Sequence, residues 1–412
     1  MKTIYTESEK CRSCGKQLTG IFDLGIQSLT GIFPRTKNEI KKEGPVNLMG
    51  CFSGCGLVQL KQSYSADHMY GENYGYRSSL NSSMVSHLSS KINNLLKQYE
   101  VNKGDTIIDI GSNDGTTLSM YEKGRYNLYG VDPTAKKFKE YYRDDIHIIA
   151  DFFSKENLEI NHINTAHLVT SFSMFYDLEN PIGFAQEVSS ILHKKRGIWV
   201  TEQSYLPTML EKNSFDTICH EHIEYYTLND MIYIAKQANL KLIDVELNSI
   251  NGGSFSCVFS RIESPLESNI SKINKLLEKE KILDLKNPEI YSNFAESVNI
   301  EKEKALRFFE SVKKKNQKVF GLGASTKGNV LLQYYGIGIN ELELIAEVNS
   351  DKFGSFTPGT LIPIQSEEDA FLKEPDYLFV LPWHFKDFFL SNPKYKGKKL
   401  VFPLPNFEII NL

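Results

Sequence analysis

The stretch Thr106-Ile107-Ile108-Asp109-Ile110-Gly111-Ser112-Asn113-Asp114-Gly115 decides the fold. TIIDI is a short apolar run that ends on a glycine turn, the pattern of a buried strand leading into a tight connection. Working outward, NLYGVD (127–132), HLVTSF (167–172) and RGIWVTEQ (196–203) are further apolar runs. KLIDVEL and SFSCVFS, separated by NSINGG, read as a closing hairpin. Upstream, Met84, Val85, Leu88, Ile92 and Leu95 recur near a helical period within 79–99. Alternation of this kind predicts a mostly parallel sheet with helices on both faces.

A second α/β block follows a charged, helical stretch over 264–315. Its strands are QKVFGLGAS (317–325), LELIAEVNS (342–350), DYLFVLPW (376–383) and KKLVFPLP (398–405). The chain's 412 residues exceed one ordinary domain. We divide it into a cysteine-bearing module over 1–66, a Rossmann-like domain over 67–262 and a Rossmann-like α/β domain over 263–412. A net charge of -4 provides no basic field for nucleic acid or an anionic membrane. No stretch approaches the roughly 20 apolar residues of a spanning helix, and MKTIYTESEK lacks the apolar centre of a signal peptide. These features predict a cytoplasmic protein, monomeric or weakly dimeric.

The first 65 or so residues read as loop-rich. Cys11 and Cys14 are spaced CxxC, and Cys51 and Cys55 CxxxC. Two thiolate pairs supply four sulfur ligands to one Zn2+, a closed and therefore structural site. Cys219 and Cys257 stand apart and read as packed thiols.

The turn after the first strand separates two cofactors. A dinucleotide needs GxGxxG, with a helix N-terminus facing a pyrophosphate. Here the turn is GxNxG, flanked by Asp109 and Asp114. Negative charge suits the cationic amino-acid end of S-adenosylmethionine (SAM) and disfavours a pyrophosphate. Asp132, closing the next strand, can accept from ribose hydroxyls. Asp109, Gly111, Asn113, Gly115, Asp132, Pro133 and Tyr74 are the candidate cofactor residues. An ordinary tight turn is the competing account.

Cys219-His220-Glu221-His222-Ile223-Glu224-Tyr225-Tyr226 is the densest titratable stretch and follows a core strand. A histidine there can act as general base, with an adjacent carboxylate orienting it. A surface loop and a metal site are the alternatives. Tyr76 and Tyr176 could join this site, or simply pack. Gly321-Leu322-Gly323-Ala324-Ser325-Thr326-Lys327-Gly328-Asn329 opens a helix and lacks P-loop spacing. Its amides, with Lys327, can hold an anion such as a diphosphate, so Gly323, Lys327 and Asn329 are candidate substrate residues.

With CRSCG, CGLVQL, YGYRSS, DIGSNDG, EHIEYY, GLGASTKGN, FTPGT and LPWHF in this order, the chain resembles the three-domain sugar C-methyltransferases of antibiotic and surface-polysaccharide pathways, the novobiocin-type and tetronitrose-type enzymes. The resemblance implies a zinc-binding module over 1–66, a Rossmann-like class I methyltransferase domain over 67–262, a C-terminal α/β domain over 263–412 that holds the substrate, and a nucleotide-diphosphate 4-keto-6-deoxy sugar as partner. A base takes the C-3 proton, and the enolate then takes a methyl from SAM. Carried over, His222 is the base and Glu221 its partner, while Tyr76 lies near cofactor or substrate. Tyr176 or His220 could hydrogen-bond the enolate oxygen. The chain departs from the tetronitrose type at Cys219, where that enzyme has tyrosine, and at Tyr176, where it has histidine. An O- or N-methyltransferase on another small molecule, and a non-catalytic nucleotide-sugar binder, are the alternative functions.

Overall fold

A computed structural model describes residues 4–39, 41–65, 69 and 77–412. Tyr74 and Tyr76 lie outside the described residues.

The N-terminal module is built on antiparallel strands β1 (Thr19–Ser28), β2 (Glu43–Gly50) and β3 (Val58–Leu60). It is thus a small sheet and not the loop-rich module expected. The register of β1 on β2 shifts between Gly20 and Phe22 and again between Asp23 and Ile26, which breaks the alternation by which a strand is recognised in sequence.

Helix α1 (Ser82–Gln98) leads into the central domain, burying Met84, Leu88, Ile92 and Leu95. Asn81 caps it, accepting from the amides of Ser83 and Met84. Then come β4 (Thr106–Ile110), β5 (Asn127–Val131), β6 (Ile146–Ile149), β7 (Leu168–Phe172), α2 (Pro181–Ile191), β8 (Ile198–Ser204), the two-residue β9 (Glu224–Tyr225), α3 (Leu228–Gln237), β10 (Leu240–Asn248) and β11 (Ser254–Arg261). Seven strands form one sheet, ordered β10-β11-β8-β7-β4-β5-β6, in which β11 is antiparallel to both neighbours. Ile107, Ile108 and Ile110 are buried because β4 is covered on both faces. The order reverses at β4, between β5 and β7, so a crevice opens at the carboxyl ends of these strands. Strand β6 was not anticipated: four residues with His147 facing out carry too little pattern. The connections from β4 to β5 and from β5 to β6 carry short 3-10 turns, Leu118–Met120 and Lys139–Tyr141, where helices were expected.

Helix α4 (Ile270–Leu283) packs on α3 and β10 of the central domain. Its buried Glu280 accepts from the Leu228 amide at 2.6 Å, the Asn229 amide at 3.1 Å and the Tyr205 hydroxyl at 2.8 Å. Helix α5 (Pro288–Lys314) then crosses to the last domain. There β12 (Val319–Leu322), α6 (Thr326–Tyr335), β13 (Ile345–Glu347), β14 (Ile364–Ser366), β15 (Tyr377–Val380), β16 (Lys399–Phe402) and β17 (Glu408–Asn411) follow. The sheet order is β14-β13-β12-β15-β16-β17, parallel except for β17. Among the described residues, no helix is long and apolar enough to cross a membrane.

Candidate active site

The glycine turn lies where β4 ends. The Asn113 amide donates to Asp132 Oδ2 at 2.9 Å, and the Thr134 amide and hydroxyl donate to Asp132 Oδ1 at 2.6 and 2.5 Å. Asp132 is thereby fixed at the end of β5, with Pro133 exposed beside it. Gly115 has φ +75°, and a Cβ there would lie 2.8 Å from the Tyr142 ring. The Tyr142 hydroxyl donates to the Asn113 carbonyl at 2.8 Å. Residues Ser78 and Ser79 are pinned to the turn by their amides, which donate to Asn113 Oδ1 and Asp114 Oδ2, each at 3.1 Å. Asp109 sits behind the turn, accepting from the Thr170 hydroxyl at 2.5 Å. Burial pushes its carboxyl up to about 7 against the Thr170 and Thr117 hydroxyls. A carboxylate at the end of β5 and an acidic, glycine-lined turn fit SAM, a ligand with ribose hydroxyls and a cationic amino-acid end.

In the N-terminal module the four cysteine sulfurs lie within 4.8 Å of one another. Cys11 and Cys55 sulfurs are 3.5 Å apart, and those of Cys14 and Cys51 3.3 Å. Tetrahedral zinc with Zn–S near 2.3 Å needs sulfur separations of about 3.8 Å, so small adjustments complete the site. A Cβ at Gly54 would lie 2.6 Å from the Cys51 sulfur and 2.7 Å from that of Cys14. A side chain there would crowd two of the four sulfurs, and the residues fit a closed four-sulfur centre.

The His-Glu segment runs between these two regions. A carbonyl only accepts, so the 2.9 Å contact from His222 Nδ1 to the Thr217 carbonyl puts the proton on Nδ1 and leaves the lone pair on Nε2. The ring meets Tyr176 edge-on, with centroids 4.4 Å apart. Burial pushes the imidazole below its ordinary range, and Lys327 adds to this, while Glu221 opposes it. Tyr176 lies in the 3-10 turn Phe175–Asp177 after β7, and its carbonyl accepts from the Ile223 amide at 3.0 Å. Met174, two residues earlier, packs against Gly111 of the cofactor turn. The segment from Met174 to Tyr176 thus links the turn to the His222 ring. His220 faces away: it is fully buried, edge-on to Tyr64 at 4.6 Å, with Nε2 3.1 Å from the Gln27 carbonyl. Burial lowers its pKa as well.

The C-terminal glycine turn splits its candidates. Lys327 Nζ donates to the Asn251 carbonyl at 2.6 Å, in the loop between β10 and β11. Gly323, with φ +81°, holds the turn against Pro382. Asn329 is fully buried and donates to the Thr30 carbonyl at 2.8 Å, so its amide ties two domains together. Three residues not singled out from sequence join Lys327. Lys212 Nζ donates to the Gly252 carbonyl at 2.8 Å. His384 lies close enough to Lys327 and Lys212 for both to lower its pKa, after burial as the main cause. Asp216, buried and attractive to Lys327, accepts from Trp383 Nε1 at 2.7 Å. These positions are scattered through the chain, and no local pattern marks them. The same holds for Glu202, at the end of β8, which His87 of α1 meets at 2.6 Å.

Comparison with known proteins matches three family models in chain order: a zinc binding domain over 11–70, a methyltransferase domain over 81–245 and a C-methyltransferase C-terminal domain over 249–405. The C-methyltransferase NovU of Streptomyces niveus is 25% identical over 420 residues, spanning 100% of this chain and 99% of that protein. Among solved structures, the complex of the Haloferax volcanii Trm112 methyltransferase activator with a methyltransferase is 14% identical, covering 43% of this chain and 94% of that chain at a TM-score of 0.35. The plantazolicin methyltransferase BpumL in complex with SAH is 12% identical, covering 43% and 83% at 0.33. At these scores the two structures add nothing to the fold read from the sheet itself. A turn that fits SAM, a four-cysteine zinc site and the ordered set of domain models converge: the chain is a SAM-dependent methyltransferase, similar over its whole length to a C-methyltransferase.

Proposed function

We propose that the chain methylates C-3 of a nucleotide-diphosphate 4-keto-6-deoxy sugar, with His222 as general base. One observation carries this reading: the lone pair of His222 Nε2 belongs to a ring that contacts Tyr176, two residues after the Met174 that packs on the cofactor turn, and that ring also senses Lys327 of the C-terminal domain. This reading puts the adenosyl site on one side of the substrate and the cations on the other. The 4-keto group acidifies the C-3 hydrogen; Nε2 takes this proton and the C–H electron pair becomes the enolate. Bound SAM supplies the electrophilic methyl that the enolate carbon takes, the C–S bond electrons leaving with sulfur. Glu221 favours the imidazolium form of His222, and Tyr176, edge-on to that ring, is the group we assign to the enolate oxygen. The cations around Lys327, with the turn at Gly323, suit the diphosphate; Asn329 contributes by fixing the Thr30 segment.

Within this reading the domain division stays at 1–66, 67–262 and 263–412, with the last domain holding the nucleotide-sugar. Tyr74 and Tyr76 keep their proposed roles at the cofactor and substrate. We infer a cytoplasmic protein, monomeric or weakly dimeric, that binds no nucleic acid, from the net charge of -4 and the buried free thiols of Cys219 and Cys257. Mass spectrometry of reactions with SAM and a panel of nucleotide 4-keto-6-deoxy sugars tests the proposal. A gain of one methylene located on C-3 supports it; methyl transfer confined to oxygen or nitrogen, or binding without product, overturns it.

A further inference from the structure

The contacts of residues 220–225 divide by direction. His222 turns toward Thr217 and Tyr176, and its neighbours are gripped by the N-terminal module. His220 Nε2 lies 3.1 Å from the Gln27 carbonyl. The Ile223 carbonyl accepts from the Leu60 amide at 2.8 Å and from Arg12 Nη1 at 3.3 Å. Glu224 and Tyr225 form β9, which pairs with Gln59 and Val58 as the outer strand of the module's sheet. Arg12 sits between the cysteines of the first pair, and its guanidinium also holds the Leu60 and Gln62 carbonyls at 2.8 and 3.0 Å.

Glu221 meets the same module at Thr30 and Gly31. Thr30 is fully buried, and its hydroxyl donates to Glu221 Oε2 at 3.3 Å. A Cβ built on Gly31 would stand 3.0 Å from Glu221 Oε1, so the carboxylate lies against the backbone of this pair. The segment cannot drift, because the C-terminal domain clamps it. Asn329 Nδ2 donates to the Thr30 carbonyl, and Gln333 exchanges two hydrogen bonds with the Ser28 backbone, at 2.7 and 3.2 Å. One strip of the first domain, fastened to the third, therefore presses on a carboxylate of the second.

We propose that the N-terminal module is the positioning frame of the Glu221–His222 pair, with Thr30 the side chain that sets Glu221. The inference rests on the catalytic reading of that pair. The zinc centre then serves as the rigid root of a frame that aims a base, and Thr30 is a positioning residue that touches no reacting atom. Misplacing a catalytic group by about 1 Å costs on the order of a hundredfold in rate, so a single hydroxyl has ample leverage.

The test uses the full-length protein and the nucleotide 4-keto-6-deoxy sugar found to be methylated in the panel assay. Thr30→Val keeps shape and removes the donor; Thr30→Ser keeps the donor; Gly31→Ala pushes on Oε1. The expected result is a tenfold or greater fall in kcat for Thr30→Val, with KM for the sugar and SAM affinity by calorimetry each within threefold. C-3 hydrogen exchange in deuterated water should fall in parallel, and Thr30→Ser should recover to within threefold of the parent. Gly31→Ala should match Thr30→Val, which keeps the proposal open to refutation if either variant fails to fold. Wild-type kcat in both Thr30→Val and Gly31→Ala, alongside an inactive Glu221→Gln, overturns the positioning role alone. A fully active Glu221→Gln removes the catalytic reading beneath it.

Discussion

Replacing His222 by glutamine takes away one basic nitrogen and little else. A general base contributes about 10²- to 10⁴-fold, or about 3–5 kcal/mol of barrier at 1.36 kcal/mol per decade. The structural losses are smaller. The Nδ1–H bond to the Thr217 carbonyl is worth about 0.5–1.5 kcal/mol, and the edge contact with Tyr176 about as much. His222→Asn keeps an N–H where Nδ1 stood, so it should restore the Thr217 bond without restoring the base. Both variants should therefore lose at least a hundredfold in kcat and in C-3 exchange, with SAM affinity unchanged, while the asparagine form unfolds later in urea. Initial rates, exchange followed by proton NMR and urea denaturation separate these effects. Because burial and Lys327 hold the imidazole below its usual range, the acid limb of the wild-type kcat/KM profile should fall below pH 6.5, with a plateau through neutrality. A glutamine variant within tenfold of wild type, or one that exchanges C-3 hydrogen normally, refutes the assignment.

Gly115→Ala places a Cβ on a residue with φ +75° and into the Tyr142 ring; with about 1–2 kcal/mol from the left-handed conformation alone, SAM should bind at least tenfold more weakly by calorimetry. Chelation should release one zinc per chain by elemental analysis, and Cys14→Ser should make residues 4–65 the first site of limited proteolysis while SAM affinity stays within threefold. Asp109, raised from 3.8 to about 7 by burial, favours folding fully only below its unfolded pKa and loses that contribution as pH climbs to 7; Asp109→Asn should therefore gain on wild type across this window in urea denaturation, by up to about 4 kcal/mol at 1.36 kcal/mol per unit. Lys327→Met should weaken binding of a nucleoside diphosphate at least tenfold and leave SAM binding alone.

The parts of this molecule legible in the sequence are those fixed by local covalent geometry. Each closely spaced cysteine pair can offer two sulfurs to one ion whatever the length of chain between the pairs, and TIIDIGSNDG needs glycine where the backbone takes positive φ. The strands β4, β5, β7 and β8 are apolar because both their faces are covered. What escaped reading depends on residues distant in the chain. Asn329 reads as a ligand residue beside Lys327, yet its amide is occupied by Thr30. Lys212, Asp216 and His384 converge only once three segments fold together. Strands β6, β14 and β17 are three or four residues long and carry too few side chains to show a period. The module's sheet was missed because a bulged strand and a two-residue contribution from β9 leave no regular alternation.

Arg12 and the Ile223 carbonyl it holds are separated by 211 residues. During synthesis the first segment can leave the ribosome, and its cysteines can gather around an ion, long before its last strand exists. Until that strand arrives, Val58–Leu60 presents an open edge of the kind that recruits stray chains. The opening residues are thus a half-finished object that the later chain completes, and severing them as a separate fragment leaves both pieces with an unpaired seam.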